Sequence, residues 1–536
     1  MIGVVLCAEV SLSQGLSTTV FPSEDELREA LFLGEIDYEE FGRLQEIALQ
    51  GIDSTTRFLY DQVPNLSYFA PTRGSLVTPL EAEQQAPFRA GPEPAAVAGE
   101  LRYRFLQQLQ NDDANCYRLS GRLRFGERLS VSFKVHREFS GRERFVGRAI
   151  SYRARRGFIR NVTLGSFTQR LGLGTVYGYR GKLLSNSPRL GTESFLFPDY
   201  GGFNGLIVRG GTNEVQFCAL GSSNRGATHS LTTGGGMVAR QRGRFRPGAV
   251  FGISRLERRT DGAAGTDRKL AVNSEYRYTQ GYGILEVVGQ SGDFGEAAAV
   301  VMEGRHRFAR AELRYAGWVY GRDYADLTGG SKAANVRRAV EMDELAFAYS
   351  TRRSGQRGAL IRTSALLGED VQFTSSLLHG MSRGAASTTQ VSAALVRHLS
   401  SALSAELTYL TLRKETGVGI NRQERVDQRL RAQARFTSGQ VSVRSYIALN
   451  ASDRRASNVS LFVYVRLETQ AGGRVVLWSD LARLNGDGIQ YWYVFLQNEQ
   501  ELHERVRLTA KFGHTYSRTA AQTHRPVISV ELVALF

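Results

Sequence analysis

The stretch that decides the fold is RVDQRLRAQARFTSGQVSVRSYIALN, residues 425–450. Apolar and polar residues alternate in both halves, and TSGQ at 437–440 separates them. Successive side chains of a β-strand point to opposite faces, so the pattern predicts an antiparallel hairpin with one apolar face and one arginine-rich face. The first strand's apolar face would hold Val426, Leu430, Ala432, Ala434 and Phe436, and its polar face Arg429, Arg431, Gln433 and Arg435.

The same alternation recurs through the rest of the C-terminal part. Arg310, Glu312 and Arg314 alternate with apolar residues at 309–315, and Arg505, Arg507 and Lys511 do so at 505–512. The chain has 57 Gly, 11 Pro and 50 Tyr plus Phe, which favours many strands joined by short turns. Aromatic clusters at 318–320 and 491–493 are interpreted as parts of interfacial girdles.

The end of the chain carries the most specific signal. Ile528, Val530, Leu532 and Ala534 alternate with the residues between them, and the chain stops on Phe536. This segment resembles the terminal strand by which outer-membrane proteins are recognised by the barrel-insertion machinery. Phe536 is therefore the expected insertion signature.

These segments predict an all-β transmembrane antiparallel β-barrel of about 18–24 strands over residues 100–536, in a bacterial outer membrane. No backbone group can stay unpaired in lipid, so membrane strands must close into a ring. At the upper end of this range the lumen would be wide enough to need a plug or inward-folded loops.

The first 99 residues differ from the rest. Residues 1–15 (MIGVVLCAEVSLSQG) resemble an export signal that lacks its basic start. Residues 16–70 predict a small α-helical module in the periplasm, with capping-box spacing at Ser23 and Glu26 and apolar residues at helical intervals. Residues 71–99, rich in Ala, Pro, Gln and Glu, predict a polar linker.

The run FLYDQVPNLS, residues 58–67, resembles half of a helix-hairpin-helix element. In soluble relatives the hairpin offers backbone N–H groups to a nucleic-acid phosphate. Pro64, Asn65 and Ser67 would form the hairpin contact, but Asn65 and Ser67 stand where glycines are expected. The departures favour a degenerate module that packs against protein, and nucleic acid is not an expected partner.

The sequence of residues 160–205 differs from the strand–turn–strand pattern of a plain hairpin. It contains LGLG at 171–174 and further glycines at 178 and 181. The segment resembles one found in large outer-membrane proteins that carry N-terminal helix-hairpin-helix regions, a family whose biochemical activity is not established. Glycines would let the backbone turn tightly, and an anion could sit against its N–H groups beside Arg170, Arg180 and Lys182. We expect an inward-folded element that lines or narrows the pore.

The net charge of +16 comes from arginine, since only six of the 68 basic residues are lysines. Codon bias in a GC-rich genome explains such an excess. A cationic surface for lipopolysaccharide, nucleic acid or anionic solutes explains it equally well.

Motifs for catalysis or metal binding are missing from the sequence. The eight histidines show no metal-ligand spacing, no G-x-S-x-G elbow occurs, and Gly181-Lys182 lacks the rest of a P-loop. Glu312 and Asp427 are expected to balance luminal charge. No enzyme activity, metal or cofactor is therefore expected.

Three functions remain open. The first is a porin-like or gated channel with an anion-favouring lumen. The second is a scaffold or assembly protein that docks a periplasmic partner through its helical module, and the third is a surface protein that binds DNA or polysaccharide. Outer-membrane lipid and lipopolysaccharide are expected around any such barrel. The candidate lumen or constriction residues are Arg170, Arg180, Lys182, Arg310, Arg314, Arg429, Arg431, Arg435 and Arg507.

Overall fold

The computed structural model describes residues 97–109, 115–126, 128–137, 143–154, 157–167, 169, 171–178, 203–212, 214–225, 229–259, 261–325, 327–328, 355–368, 370–381, 387–416, 423–453, 458–469, 473–484, 488–517 and 524–536. Within these ranges the secondary structure consists of 24 strands and the turns between them. No helix in the described part of the chain is long and apolar enough to cross a membrane.

The first twelve strands are β1 Val97–Gln108, β2 Asn115–Phe125, β3 Leu129–Arg137, β4 Glu143–Arg153, β5 Ile159–Phe167, β6 Phe203–Gly211, β7 Val215–Arg225, β8 His229–Arg240, β9 Phe245–Arg258, β10 Ala264–Tyr278, β11 Gly281–Gly292 and β12 Ala297–Arg307. The remaining twelve are β13 Ala311–Tyr320, β14 Arg357–Leu366, β15 Val371–Met381, β16 Ser387–His398, β17 Leu403–Thr416, β18 Gln423–Ser438, β19 Val441–Ser452, β20 Asn458–Glu468, β21 Arg474–Leu484, β22 Gly488–His503, β23 Val506–Ser517 and β24 His524–Leu535.

The strands form one closed ring. Each strand pairs antiparallel with the next along the chain, and β24 pairs with β1, which leaves no sheet edge. Phe536 takes part in the closure, because its carbonyl accepts from Gly99 N–H at 2.6 Å and its N–H donates to Gly99 O at 3.1 Å. The predicted antiparallel barrel is confirmed, with a strand number at the top of the predicted range.

The two faces of the wall follow the sequence alternation. On β10 the outward side chains Leu270 and Val272 are 58% and 59% exposed, while Lys269 and Ala271, which alternate with them, are buried on the inner face. The 425–450 hairpin folds as predicted, with Leu430 outward, Arg431 inward and a two-residue turn at Gly439. The outer face is thus apolar, whereas the inner face carries both apolar and charged side chains.

The two rims of the barrel differ in loop length. At the rim that holds both chain ends of the barrel, consecutive strands are joined by two to five residues. At the opposite rim two connections are long: residues 168–202 between β5 and β6, and 321–356 between β13 and β14. We call these the terminus-side rim and the loop-side rim. Short turns are typical of the periplasmic side and long loops of the outer side.

Two sequence expectations need correction. The first strand begins at Val97, so the last three residues of the expected linker belong to the wall. Trp318 and Tyr320 are not in an outer girdle: both face inward and are only 7% and 3% exposed, because Val319 between them takes the outward position. The expected export signal, the helical module and its hairpin residues Pro64, Asn65 and Ser67 lie outside the described residues.

Leu430 lies near the middle of β18 on the outer face, so Leu430→Arg would place a charge in the bilayer core. We expect this substitution to lower the free energy of unfolding by about 2–4 kcal/mol. Leu430→Ala, which removes the side chain without adding charge, should cost clearly less. Urea unfolding in lipid vesicles, followed by tryptophan fluorescence, measures both, and equal costs for the two variants would contradict the outward assignment.

Candidate functional site

The two long connections of the loop-side rim bring described residues into the barrel. We call residues 171–178 the first inward loop, and Tyr324, Ala325, Leu327 and Thr328 the second inward loop. In the first, Leu171 and Tyr177 are 1% and 0% exposed, and in the second Tyr324 is 0% exposed. Both pack with inward-facing wall residues in one apolar core that includes Phe203, Ile207, Leu231, Met237, Val250, Val288, Val301, Trp318 and Tyr320.

Glu286, on the inner face of β11, attaches the first inward loop to the wall. Its carboxylate accepts from Leu173 N–H at 2.8 Å, from Thr175 N–H at 3.2 Å and from the Thr175 hydroxyl. Asn273 Nδ2, from the adjacent strand β10, lies 3.5 Å from the same carboxylate. From the glycine pattern, an anion was expected to bind the backbone N–H groups of this segment. In the structure, the N–H groups of Leu173 and Thr175 bind a carboxylate of the barrel itself.

Gly172 makes this contact sterically feasible. It adopts φ +58°, and a Cβ at this position would lie 1.9 Å from Glu286 Oε2. Any larger residue would therefore push the carboxylate away from Leu173 and Thr175. Gly172, in the L-G-L-G segment, thus allows the loop backbone to approach the wall closely.

Tyr177 fits against a strip of glycines on the wall. Its hydroxyl donates to Gly234 O at 2.7 Å and lies 3.1 Å from Thr233 Oγ1 on β8. A Cβ at Gly252 on β9 would stand 2.8 Å from the Tyr177 hydroxyl and 2.8 Å from Val176 Cγ1. The wall therefore lacks side chains where the ring lies.

The second inward loop covers the first. The Tyr324 hydroxyl donates to Thr175 O at 2.8 Å, Thr328 Oγ1 donates to Val176 O at 2.7 Å, and Gly178 N–H donates to Thr328 O at 2.9 Å. Ala325 N–H donates to Gln290 Oε1 on β11 at 2.9 Å. The two loops and strands β8 to β13 therefore form one hydrogen-bonded unit inside the barrel.

Among the described residues, five glutamates on the inner wall each contact two or three arginines, and we call these groups the arginine–glutamate clusters. They are Glu275 with Arg246 and Arg277; Glu312 with Arg305, Arg307 and Arg314; Glu406 with Arg431 and Arg435; Glu499 with Arg474 and Arg507; and Glu531 with Arg102 and Arg104. Each glutamate lies at most four residues from the terminus-side end of its strand. The clusters thus lie in the terminus-side part of the lumen, on strands between β9 and β24 and on β1, and none of the five lies on β2 to β8.

A row of aromatic rings crosses the inner wall beside the Glu406 cluster. Tyr446 stacks on Phe462 with centroids 4.7 Å apart, and Trp478 stacks on Phe495 at 4.9 Å. Arg431 lies 5.7 Å from the Tyr446 ring at one end, and Lys511 lies 4.2 Å from the Phe495 ring at the other. The rings are only 2% to 5% exposed, so they stiffen the wall and support the cations.

The predicted lumen residues separate into three groups. Arg314, Arg431, Arg435 and Arg507 belong to the clusters, and Arg429 also lies on the inner face of β18. Arg310 lies in the exposed turn between β12 and β13, at the terminus-side rim. Arg170, Arg180 and Lys182 lie outside the described residues.

Sequence reasoning did not single out Glu286, Glu406, Glu499 or Tyr324. The glutamates could have been found from the sequence. In each alternating segment the glutamate occupies a position whose side chain points to the lumen, where a lone carboxylate needs a partner. Tyr324 and its partners had no such signal, because they follow the end of a strand. In the described part of the chain, no group of His, Cys, Asp and Glu is arranged to bind a metal, and Cys116 and Cys218 are not joined in a disulfide.

Neither a protein-family model nor a curated protein matches the chain. Solved structures match at low identity. A chain of the E. coli P pilus tip assembly intermediate PapC-PapD-PapK-PapG aligns with TM-score 0.53 and 11% identity, over 84% of this chain and 62% of that one. The siderophore receptor PirA from Pseudomonas aeruginosa aligns with TM-score 0.48 and 9% identity, over 83% and 81% of the two chains.

The first of these likenesses shows the fold alone: a large β-barrel of the outer-membrane type. This chain spans 62% of the length of that matched chain. The closed ring and the apolar exterior support an integral outer-membrane location.

Glu286→Ala should release the first inward loop. The variant leaves the Leu173 and Thr175 N–H groups buried without their acceptor, and hydrogen bonds to a charged group contribute roughly 1.5–3 kcal/mol each. We expect amide hydrogen exchange of residues 171–178 to accelerate about 100-fold. Glu406→Ala, which removes a luminal carboxylate elsewhere on the wall, is the control. Unchanged exchange in Glu286→Ala would refute the anchoring role.

Gly252→Val should displace the same loop by steric contact with Tyr177 and Val176. Because the contacted atoms belong to the loop alone, Tyr177→Ala in the same chain should restore part of the packing of the remaining loop residues. Limited proteolysis of the folded protein reads out the displacement. Equal protease resistance in Gly252→Val and wild type would show that the wall tolerates a side chain there.

Proposed function

We propose that the protein is an outer-membrane channel that favours anions, with a lumen narrowed by two inward loops. The observation that carries the proposal is the composition of the five clusters, in each of which arginines outnumber the glutamate that they contact. The Glu275, Glu312, Glu406 and Glu499 clusters therefore retain a net positive charge, whereas in the Glu531 cluster Arg102 also pairs with Glu100, which balances the second arginine.

The glutamates position the arginines rather than cancel them. A guanidinium stays charged at any physiological pH, and a carboxylate between two arginines holds both side chains in place while neutralising only one charge. In the Glu406 cluster, Arg431 is almost fully buried and Arg435 is 33% exposed. The more exposed arginine is the one that a passing ion would meet.

Positive clusters along much of the luminal wall raise the local concentration of anions and repel cations. The clusters lie near the terminus-side rim, whereas the inward loops dock further toward the loop-side rim. A solute that crosses the barrel would therefore pass a charge filter and a narrowed section in series. The 24-strand ring is wide enough that the loops, rather than the wall, would set the size limit.

The other functions stay predictions. Docking of a periplasmic partner and binding of DNA were assigned to the N-terminal helical module, whose residues lie outside those described. We also expect no enzymatic activity, because neither the sequence motifs nor the described luminal groups suggest a nucleophile beside a base.

The charge filter is tested by neutralising the more exposed arginine of four clusters together, in the variant Arg277→Gln/Arg307→Gln/Arg435→Gln/Arg507→Gln. Each glutamate keeps at least one arginine, so the wall should remain folded. In planar bilayers with a KCl gradient, we expect the wild type to prefer chloride. In the variant, we expect the ratio of chloride to potassium permeability to fall roughly two- to fivefold, so that most of this preference is lost.

Arg357→Gln is the matched control, since Arg357 is exposed on the outer face of β14. Its reversal potential should equal that of the wild type. A wild-type channel that prefers cations would refute the anion filter, and so would unchanged ion selectivity in the quadruple variant. A folded protein without any conductance would refute the channel itself.

A further inference from the structure

The outer face of β9 and β10 carries two arginines close to the loop-side rim. Arg255 on β9 and Arg268 on β10 both point outward and are exposed. Arg255 is opposite Thr266 in the ladder, and Arg268 follows two residues later on the same face. Diagonal neighbours of this kind lie roughly 7–8 Å apart, so the two guanidinium groups can reach one ligand.

The pair stands directly beside a strip of exposed apolar side chains on the exterior. Phe251, Ile253, Leu270 and Val272 are each more than half exposed on the same two strands. Tyr276, an exposed aromatic residue near the terminus-side end, lies eight residues from Arg268. Eight residues rise about 27 Å along a strand, or about 20 Å in height at a tilt of about 40°. This is close to the roughly 25 Å apolar band of outer-membrane barrels.

Arg255 and Arg268 therefore lie at the edge of the apolar band, on the side where long loops mark the outer surface. A tyrosine marks the opposite edge, as expected at a membrane interface. At this height a lipid-facing side chain meets headgroups rather than acyl chains.

The two outer arginines also differ from the luminal ones in their partners. In the lumen each cluster arginine contacts a glutamate, whereas no carboxylate among the described residues forms an ion pair with Arg255 or Arg268. Glu257 lies on the same face two residues beyond Arg255, closer to the rim, and Asp293 accepts from Thr266 N–H at 2.8 Å. Two adjacent cations at the headgroup level call for an external anion.

We propose that Arg255 and Arg268 bind a phosphate of an outer-leaflet phosphorylated glycolipid of the lipid A type, while Phe251, Ile253, Leu270 and Val272 contact its acyl chains. The planar guanidinium group binds phosphate in a bidentate manner, and the exposed apolar strip continues directly from the pair. This site is on the outside of the barrel and does not depend on the channel proposed above.

The test uses the full chain in detergent micelles, titrated with hexa-acylated lipid A that carries two phosphates. Native mass spectrometry counts bound lipid. We expect Arg255→Gln/Arg268→Gln to bind at least tenfold more weakly than the wild type, and each single substitution to give an intermediate loss. With dephosphorylated lipid A as the probe, wild type and double variant should bind equally and weakly.

Arg357→Gln again provides the control, because Arg357 is an outward arginine at the same rim whose ladder partners are Val319 and Met381. It should bind lipid A as the wild type does. Heat-modifiable migration in gels confirms that each variant is folded. Equal affinities of wild type and double variant, an equal loss in Arg357→Gln, or a loss that persists with dephosphorylated lipid A would each overturn the proposal.

Discussion

The pairing of β1 with β24 is the contact on which the rest of the structure depends. In lipid an unpaired N–H or C=O group has no water to bind, so an open sheet edge is not tolerated. The ladder from Glu100–Leu535 to Gln108–Val527, with Gly99 and Phe536 at its end, removes the edge. Closure then gives every strand one lipid face and one luminal face, which is why apolar and charged residues alternate.

Closure of 24 strands also creates a wide lumen, part of which the inward loops fill. A ring of this size encloses more space than wall side chains can fill. Two loops enter from one rim, and their own backbone groups must be paired as well. Glu286, Gln290 and the two loops supply those partners for each other. The carboxylate that binds the first loop therefore satisfies backbone donors and fixes the loop position in one contact.

The lumen is organised in two levels along its axis. The inward loops and their apolar core dock on β8 to β13 from the middle of the barrel toward the loop-side rim. The arginine–glutamate clusters occupy the terminus-side level on strands between β9 and β24 and on β1. The aromatic row near Arg431 and Lys511 stiffens the wall next to one of them. Because the levels are separate, substitutions would alter the proposed charge filter and the proposed narrowed section independently.

The sequence by itself determined the barrel, the inward direction of Arg431 and Arg435, and the position of Phe536 at the end of a terminal strand. Side-chain alternation is a local property of an extended chain, so these features need no distant contact. The partners were decided only by the tertiary structure. Glu286 lies more than 110 residues from Thr175, and Trp318 faces the core, not a girdle. Ring closure and strand register bring such residues together, and neither is encoded in any short segment.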